Sequence, residues 1–418
     1  MKVMNTRISI FLGSTLAVIC CLAGPARAQD AVYGQPGDWL ASYQTARTAA
    51  MGGAYVANAD GALGSMWNPA GLSRTLQNQV HFETADLFGE SRMNAFSFAV
   101  PASRFPSIGI SLVTLNSGEF ERTNALNDNL GTFNEGNLAL YLTGAKAVTR
   151  NFRLGASLKM VRQSLEDFSG GGMGLDLGAM YDISEHWRVG ASALNIGGPN
   201  LSLREMDETY PVDVRGGVTW RGLGGRALLT AEVDAREGPG ATFLSGGELW
   251  VHRSLALRAG YGQERIGAGV SVRVAHDFRF DYGAQDNELG VLHRFGVVYD
   301  FGGFHVASQA SPEIFSPTGD HSVTTFGLKA RTRGAPSDWT LDIIDKHDQL
   351  VRRFGGKGNP PSHVLWDGTD ESGMPLPDGG YRYRLLVRDD DGIEIDAKER
   401  EVVISTTGPQ GTIPVEVN

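Results

Sequence analysis

Arg265-Ile-Gly-Ala-Gly-Val-Ser-Val-Arg-Val274 places Ile266, Ala268, Val270, Val272 and Val274 on one set of alternate positions. Arg265, Gly267, Gly269, Ser271 and Arg273 fill the other set. Successive side chains of an extended chain point to opposite faces, so this stretch is a strand with one apolar and one polar face. The pattern, a short alternating run and then a turn, recurs from Gln79 to Phe301. It reads as fourteen strands, near 79–86, 92–101, 106–116, 135–148, 152–164, 172–183, 186–196, 211–220, 226–236, 241–251, 254–263, 265–274, 276–284 and 290–301. Sheets that are greasy outside and wet inside suit a barrel in lipid, where every backbone polar group must be paired within the protein.

Connections and faces support the same reading. Links after even-numbered strands are tight, as at Val148-Thr-Arg-Asn151, Ile183-Ser-Glu185 and Val251-His-Arg-Ser254. Several links after odd-numbered strands are longer: 116–134, 165–171 and 197–210. Outer-membrane barrels have short periplasmic turns and longer outer loops, so both barrel ends are expected on the periplasmic side. Leu255, Leu257, Ala259 and Tyr261 oppose Arg258, Gly260 and Gly262. A basic residue on the lipid face would cost about 2–4 kcal/mol at the midplane, and the basic residues here mostly take the other face. Trp187, Trp220, Trp250 and Tyr299 lie near strand ends, where amphipathic rings suit a membrane boundary. The last strand, 294–301, carries Arg294, Gly296, Tyr299 and Phe301 in a polar-x-Gly-x-x-apolar-x-aromatic order. That order resembles the closing signal that barrel assembly machinery reads in bacterial outer-membrane proteins.

The flanks differ from the barrel. Lys2 and Arg7, an apolar run from Ile8 to Cys21, and Ala26-Arg27-Ala28 read as a secretory signal peptide over 1–28. The run is shorter than the roughly 20 residues of a spanning helix. Cleavage removes both cysteines and three cations, taking the formal charge from -10 to -13. No thiolate site then remains, and the acidity argues against a nucleic-acid partner. Residues 304–321, rich in Ser, Pro and Ala, read as a linker. Five short strands follow within 322–405, separated by Asp367-Gly368, Asp378-Gly379-Gly380 and Asp391-Gly392 turns. That length suffices for an immunoglobulin-like sandwich, with 406–418 as a tail.

Two stretches resemble known families. Ala46-Arg-Thr-Ala-Ala-Met-Gly-Gly-Ala-Tyr-Val-Ala57, with Trp67-Asn-Pro-Ala-Gly-Leu-Ser73, is similar to the opening of PorV/PorQ proteins, relatives of the FadL fatty-acid channels. Asn68-Pro69-Ala70 matches a motif of the FadL N-terminal plug. The resemblance implies a fourteen-stranded barrel with segment 29–78 folded back into the lumen of a barrel spanning 79–303. Gly52, Gly53, Trp67, Asn68, Pro69 and Ala70 would carry that plug. The residues themselves agree: Gly52-Gly53 permits close backbone contact, Pro69 stiffens the segment, and 49–62 is small and neutral. A periplasmic arm outside the lumen is the alternative. Trp366-Asp-Gly-Thr-Asp, then Gly373, Asp378-Gly379 and Tyr381, resembles FlgD-type Ig-like modules, which are interaction or spacer domains.

The expected fold is therefore all-β: a 14-stranded antiparallel transmembrane β-barrel with an N-terminal plug and a small C-terminal Ig-like β-sandwich. No enzyme constellation stands out. His293 with Asp300 or Ser271 is the combination a barrel hydrolase would use, yet no spacing selects it. Asp389-Asp-Asp-Gly-Ile-Glu394 lacks the ligand order of a calcium loop, and Gly170-Gly171-Gly172 lacks the Gly-Lys-Ser/Thr of a phosphate loop. No metal or cofactor is expected. Arg153, Lys159, Arg188, Arg258 and Arg273 either line an open lumen or pair with Asp176, Asp182, Glu232 and Asp234 in a plugged one. The first functional expectation, from the PorV/PorQ resemblance, is protein secretion or surface attachment. Its partners would be outer-membrane lipid, the barrel assembly machinery, and a client or secretion-system component docked by loops 116–134 and 197–210 or by a periplasmic Ig-like domain. The alternatives are a FadL-like channel for a hydrophobic ligand and a structural envelope protein.

Overall fold

A computed structural model describes residues 35–103, 105–203, 206–236, 240–274, 277–318, 322–390 and 392–406. The signal-peptide expectation and nearly all of the tail lie outside them. The chain divides into two compact units, with the boundary in the sequence between Phe301 and Gly302.

The first unit is a closed barrel of fourteen antiparallel strands. In chain order they are β1 (Asn78–Asp86), β2 (Arg92–Val100), β3 (Ser107–Thr123), β4 (Asn129–Ala147), β5 (Phe152–Leu165), β6 (Phe168–Asp182) and β7 (Trp187–Ile196). A small hairpin of β8 (Asn200–Leu203) and β9 (Met206–Thr209) intervenes. The wall resumes with β10 (Asp213–Gly222), β11 (Ala227–Arg236), β12 (Gly240–His252), β13 (Leu255–Gly262), β14 (Arg265–Val274), β15 (Phe278–Asn287) and β16 (Gly290–Phe301). Closure is made by β1 on β16, in register from Asn78 opposite Phe301 to Asp86 opposite His293. The 294–301 octamer thus forms the closing seam: Arg294 points inward and is buried, while Phe295 and Tyr299 face outward.

Alternation sorts the faces as the decapeptide implied. Ile266, Val272 and Val274 are exposed on the outside, and Ser271 is fully buried inside. Phe82, Phe96, Leu142, Leu177, Leu229, Leu257, Phe280 and Phe295 extend the apolar exterior around the wall. Such a surface belongs against lipid, since water would tolerate a continuous apolar belt of this size poorly. Trp187 and Trp220 pair across β7 and β10 at the short-turn end, and Phe278 stacks on Tyr299 at 4.5 Å at the same end. Trp250 corrects the expected girdle: its indole donates to Glu248 at 3.1 Å and Arg273 lies over its ring.

Two loop readings are corrected. Residues 116–134 are mostly strand, because β3 and β4 continue as a ribbon past a bulge at Asn116–Glu119. The alternation vanished there because both faces of the ribbon are largely exposed to water. Residues 165–171 likewise shrink to a two-residue turn between Leu165 and Phe168.

The second unit contains two sheets. One is β17 (His305–Ser311), β19 (Thr324–Arg331) and β22 (His363–Trp366). The other orders β18 (Ile314–Phe315), β25 (Arg400–Ile404), β23 (Gly379–Asp389), β20 (Pro336–Ile344) and β21 (Leu350–Lys357), with β24 (Glu394–Asp396) also on β23. The sheets meet through Phe326, Trp366, Tyr381 and Tyr383, with Phe326 and Tyr383 ring centroids 4.7 Å apart. The linker reading of 304–321 is therefore corrected: β17 and β18 belong to this unit. Val306, Ser308 and Ala310 do alternate inward, but small residues between Pro-bearing turns carry a weak strand signal. Trp366 anchors the fold: it is 1% exposed and donates to the Thr369 carbonyl at 2.9 Å. Asp367 holds Thr369, Gly368 adopts φ +79 against Pro317, Asp378 accepts from Thr406, and Tyr381 donates to the Pro377 carbonyl. Gly373 and Gly379, at φ +79 and +153, complete the turns. Replacing Trp366 by Ala should destabilise this unit by about 3–5 kcal/mol. Denaturant titration of the full chain should show an early transition for the second unit while the heat-resistant gel mobility of the barrel stays unchanged.

Candidate functional site: the filled lumen

Residues 45–75 lie against the inward face of the wall, and their backbone does the packing. α1 (Asp38–Ala41), α2 (Ala46–Ala50), α3 (Gly61–Gly64) and a 3-10 turn at Pro69–Arg74 are each too short to be stable alone. They hold because local caps and wall contacts fix them. Thr45 and Thr48 form a reciprocal capping box over α2, the Thr48 hydroxyl accepting from Thr45 N at 2.8 Å. Asn68 caps the 3-10 turn through Ala70 N at 3.0 Å, with Pro69 in the first position.

The wall meets this backbone with glycine. A Cβ on Gly178 would lie 2.0 Å from Asn68 Oδ1, and one on Gly155 would lie 2.4 Å from the Pro69 carbonyl carbon. Across the barrel, a Cβ on Gly260 would sit 2.1 Å from Met51 and one on Gly267 would sit 1.9 Å from the Ala49 oxygen. Gly52, at φ +64, has no room for a side chain beside Tyr261, and Gly53 turns at φ +87. Asn68 is fully buried and donates to three carbonyls, Val56 and Ala179 at 3.0 Å and Ala191 at 3.3 Å. Trp67 packs between Tyr43 and Tyr55, with centroids 5.9 and 5.7 Å away. Ala70 is fully buried below it. Gly52, Gly53, Asn68, Pro69 and Ala70 thus lie against the wall, whereas the ring partners of Trp67 belong to the segment itself.

Charge inside the barrel is organised into clusters. Arg47 bonds Glu248 at 2.9 Å and Asp60 at 3.0 Å, while Arg258 bridges Glu248 at 2.7 Å and Asp281 at 3.4 Å, and Arg279 adds 3.0 Å to Asp281. Glu232 accepts from the amides of Tyr55 and Val56 at 2.6 and 2.7 Å, so a wall carboxylate satisfies plug backbone. Glu83 does the same for Ala46 N at 3.1 Å. Lys159 pairs with Asp176 at 2.8 Å, and Arg215 with Asp213 and Asp234. Asp182 takes both Arg153 and Arg188. Of the predicted lumen cations Arg153, Lys159, Arg188 and Arg258 are paired this way, and Arg273 stacks on Trp250.

The imagined hydrolase set is not assembled. Ser271 bonds Asp281 inside the wall, whereas His293 faces outward and meets Tyr282 at 2.8 Å. His81, Glu83 and Asp281 form a metal-type group among the described residues, their ligand atoms within 4.8 Å. Two guanidiniums already on Asp281 oppose a cation there. Gly170 and Gly172 serve packing, lying under the backbone of the β8–β9 hairpin. Asp389 organises its own turn through Ile393 N at 2.8 Å, and Asp391 lies outside the described residues.

A cavity with a volume of about 30 Å³ lies at the long-loop end. Leu40, Tyr43, Met66, Trp67, Tyr141, Leu194 and Tyr210 supply apolar walls, and Lys159, Asn195, Asp213 and Arg215 the polar ones. Its lid is the strap before α2: the Trp39 indole donates to the Tyr210 hydroxyl at 2.9 Å, and Asp38 pairs with Arg236 at 3.0 Å. Tyr210, nearly fully buried, lines this cavity from the end of the 197–210 stretch. The wall is irregular beside it. The β6–β7 ladder shifts register between Leu175 and Leu177, and Asn195 takes φ +61. Sequence reasoning missed this cavity, since its lining comes from six separated segments.

A family model described as a family of unknown function (DUF5723) matches residues 106–223. No curated protein matches the chain. Among solved structures the chain is similar to the toluene transporter TodX of Pseudomonas putida, at 14% identity over 61% of this chain and 96% of that one, with TM-score 0.46. It is also similar to a FadL homologue of Pseudomonas aeruginosa (12%, 62% and 98%, 0.45) and to Omp33 of Acinetobacter baumannii (10%, 54% and 98%, 0.35).

Replacing Glu248 by Gln leaves Arg47 and Arg258 facing an uncharged amide, and breaking a buried pair costs about 3–5 kcal/mol. The expected result is a lower unfolding temperature together with new protease sensitivity near Arg47. Gly267→Leu should expose the same site by displacing α2 while leaving the folded wall resistant, which limited trypsin digestion and heat-modifiability gels check.

Proposed function

We propose that the chain is a bacterial outer-membrane barrel for passage of hydrophobic small molecules, with its N-terminal segment as the barrier. The observation that carries this reading is the aromatic cavity at the long-loop end, placed beside a break in the wall ladder. At about 30 Å³ the cavity takes water rather than an organic molecule. A ligand therefore has to displace the 35–44 strap. That strap is held by few contacts, whereas 45–75 is fixed by the glycine interface. A bulge leaves a residue unpaired in its ladder. The shift at Leu175–Leu177 is thus the natural place for a ligand to leave sideways into lipid. The Asn68-Pro69-Ala70 resemblance to FadL-type plugs supports the same reading, as does the apolar belt around a closed ladder.

Protein secretion or surface attachment of PorV/PorQ type is the second reading. The β3–β4 ribbon favours it, because paired strands with water-exposed faces suit contact with a client. In this version an FlgD-like second unit faces the periplasm and docks a secretion-system component.

Purified protein titrated with a long-chain fatty acid or toluene should show saturable quenching of tryptophan fluorescence. Tyr210→Ala should change that affinity by about tenfold, equivalent to ~1.4 kcal/mol, through loss of the lid contact. No saturable binding and no uptake defect in a deletion strain would remove the channel reading. An altered secreted and surface proteome in that strain would then favour the second.

A further inference from the structure

We infer that the lumen carries a binding site for a phosphate-type oxyanion at its short-turn end, opposite the aromatic cavity. The site stands on wall geometry and holds whichever function is correct. Arg153, Asp182, Arg188 and Arg221 occupy the last inward positions of β5, β6, β7 and β10. These strands are neighbours in the order β10-β7-β6-β5, and Asp182 lies opposite Arg188 in register. Directly above, the plug backbone covers Gly155, Gly178 and Gly190, so the ring forms the floor beneath it. Arg74 joins from the 3-10 turn, donating to the carbonyls of Asn58 and Ala59 at 3.1 and 3.0 Å.

Among the described residues, Asp182 is the one carboxylate bonded to these four guanidiniums. Asp182 is shared by Arg153 and Arg188. Arg221 reaches only an amide oxygen, Asn58 Oδ1 at 2.6 Å. Arg74 and Arg221 both close on Asn58, through its carbonyl at 3.1 Å and its Oδ1 at 2.6 Å. The carboxylates on the far side of the segment are already taken: Asp60 is bonded to Arg47, and Glu248 to Arg47 and Arg258. Buried Arg188 Nη1 and Arg221 Nε have no hydrogen-bond partner among the described residues. The contrast with the rest of the lumen is instructive. Arg47, Arg258 and Arg279 meet Asp60, Glu248 and Asp281 one for one, and Arg215 has two carboxylates. A buried cation group without its counter-charge is costly, and a planar guanidinium fork matches the paired oxygens of phosphate or sulfate. The side chains of Arg153, Arg188 and Asp182 retain 11%, 14% and 20% exposure, so the floor opens toward the turns. In a barrel whose short turns are periplasmic, the ligand would come from that compartment.

Inorganic phosphate is the probe. Full-length protein in detergent is titrated with phosphate, sulfate or acetate, each against sodium chloride at matched ionic strength, by calorimetry and by unfolding temperature. Phosphate and sulfate should bind saturably and raise the unfolding temperature, and acetate should bind more weakly. Arg188→Gln and Arg221→Gln should each weaken phosphate by about tenfold while the heat-modified gel shift of the barrel is kept. Arg226→Gln, outside the ring, should leave the affinity unchanged. If a variant fails to fold, Arg221→Lys provides the second reading, because it keeps charge but loses the fork. Equal response to phosphate and chloride, or equal loss in Arg226→Gln, overturns the proposal.

Discussion

The close approach of the N-terminal backbone to the inward glycines of the wall governs the rest of the molecule. Where β-carbons are absent, the segment sits within van der Waals distance of the sheet and fills the middle of the barrel. Gly178 shows how little slack there is: any side chain would have to occupy the place of the Asn68 amide. The contact also decides what the wall must offer. Short helical turns leave their first amides without partners. Glu83 and Glu232 supply those partners from the wall. Fold and filling are therefore one structure, since neither the buried carboxylates nor the buried amides could stand without the other.

The same contact explains how so many charges are tolerated inside. A lone buried ion costs several kcal/mol, and only well-formed pairs offset this. The Arg47–Glu248–Arg258–Asp281 chain links plug to three strands of wall through bonds of 2.7–3.4 Å. Removing the segment would leave Glu248 with one cation fewer and strip Glu83 and Glu232 of the amides they accept from. The interior thus resists wholesale ejection of the segment, and any opening is confined to the part that carries fewer of these bonds.

Barrel, strand number and face assignment were legible because lipid imposes period-two alternation on each strand that crosses it. The β3–β4 ribbon was not legible beyond Asn116, because water on both faces removes the constraint that writes the pattern. β17 was missed for a related reason. Its inward residues Val306, Ser308 and Ala310 are too small to distinguish a buried strand from a Ser/Ala-rich connection. At the site, Gly52, Gly53 and Asn68 could be singled out as a plug motif, and the structure brings them to one interface. Their wall partners could not, since Gly155, Gly178, Gly260 and Gly267 are spaced by barrel closure rather than by sequence. Lumen charge pairing was readable in kind but not in partner: Lys159 with Asp176 is adjacent-strand geometry, whereas Arg47 with Glu248 spans 201 residues.

Two tiers of restraint follow from these contacts. The tier from 45 to 75 is held by backbone packing, carboxylate-capped amides and paired charges, and has no low-cost displaced state. The strap before it is held by the Trp39–Tyr210 bond, the Asp38–Arg236 pair, the packing of Gly37 on Tyr210, and the seating of Tyr43, Trp39 and Leu40 against the core around Trp67. Individual bonds of that kind contribute about 0.5–1.5 kcal/mol each, so their combined loss falls within what a bound apolar ligand regains by burying surface. The cavity under the strap is small because the strap is shut, and its aromatic walls are already in place. Movement at this end would enlarge the cavity next to the irregular β6–β7 ladder without disturbing the glycine interface.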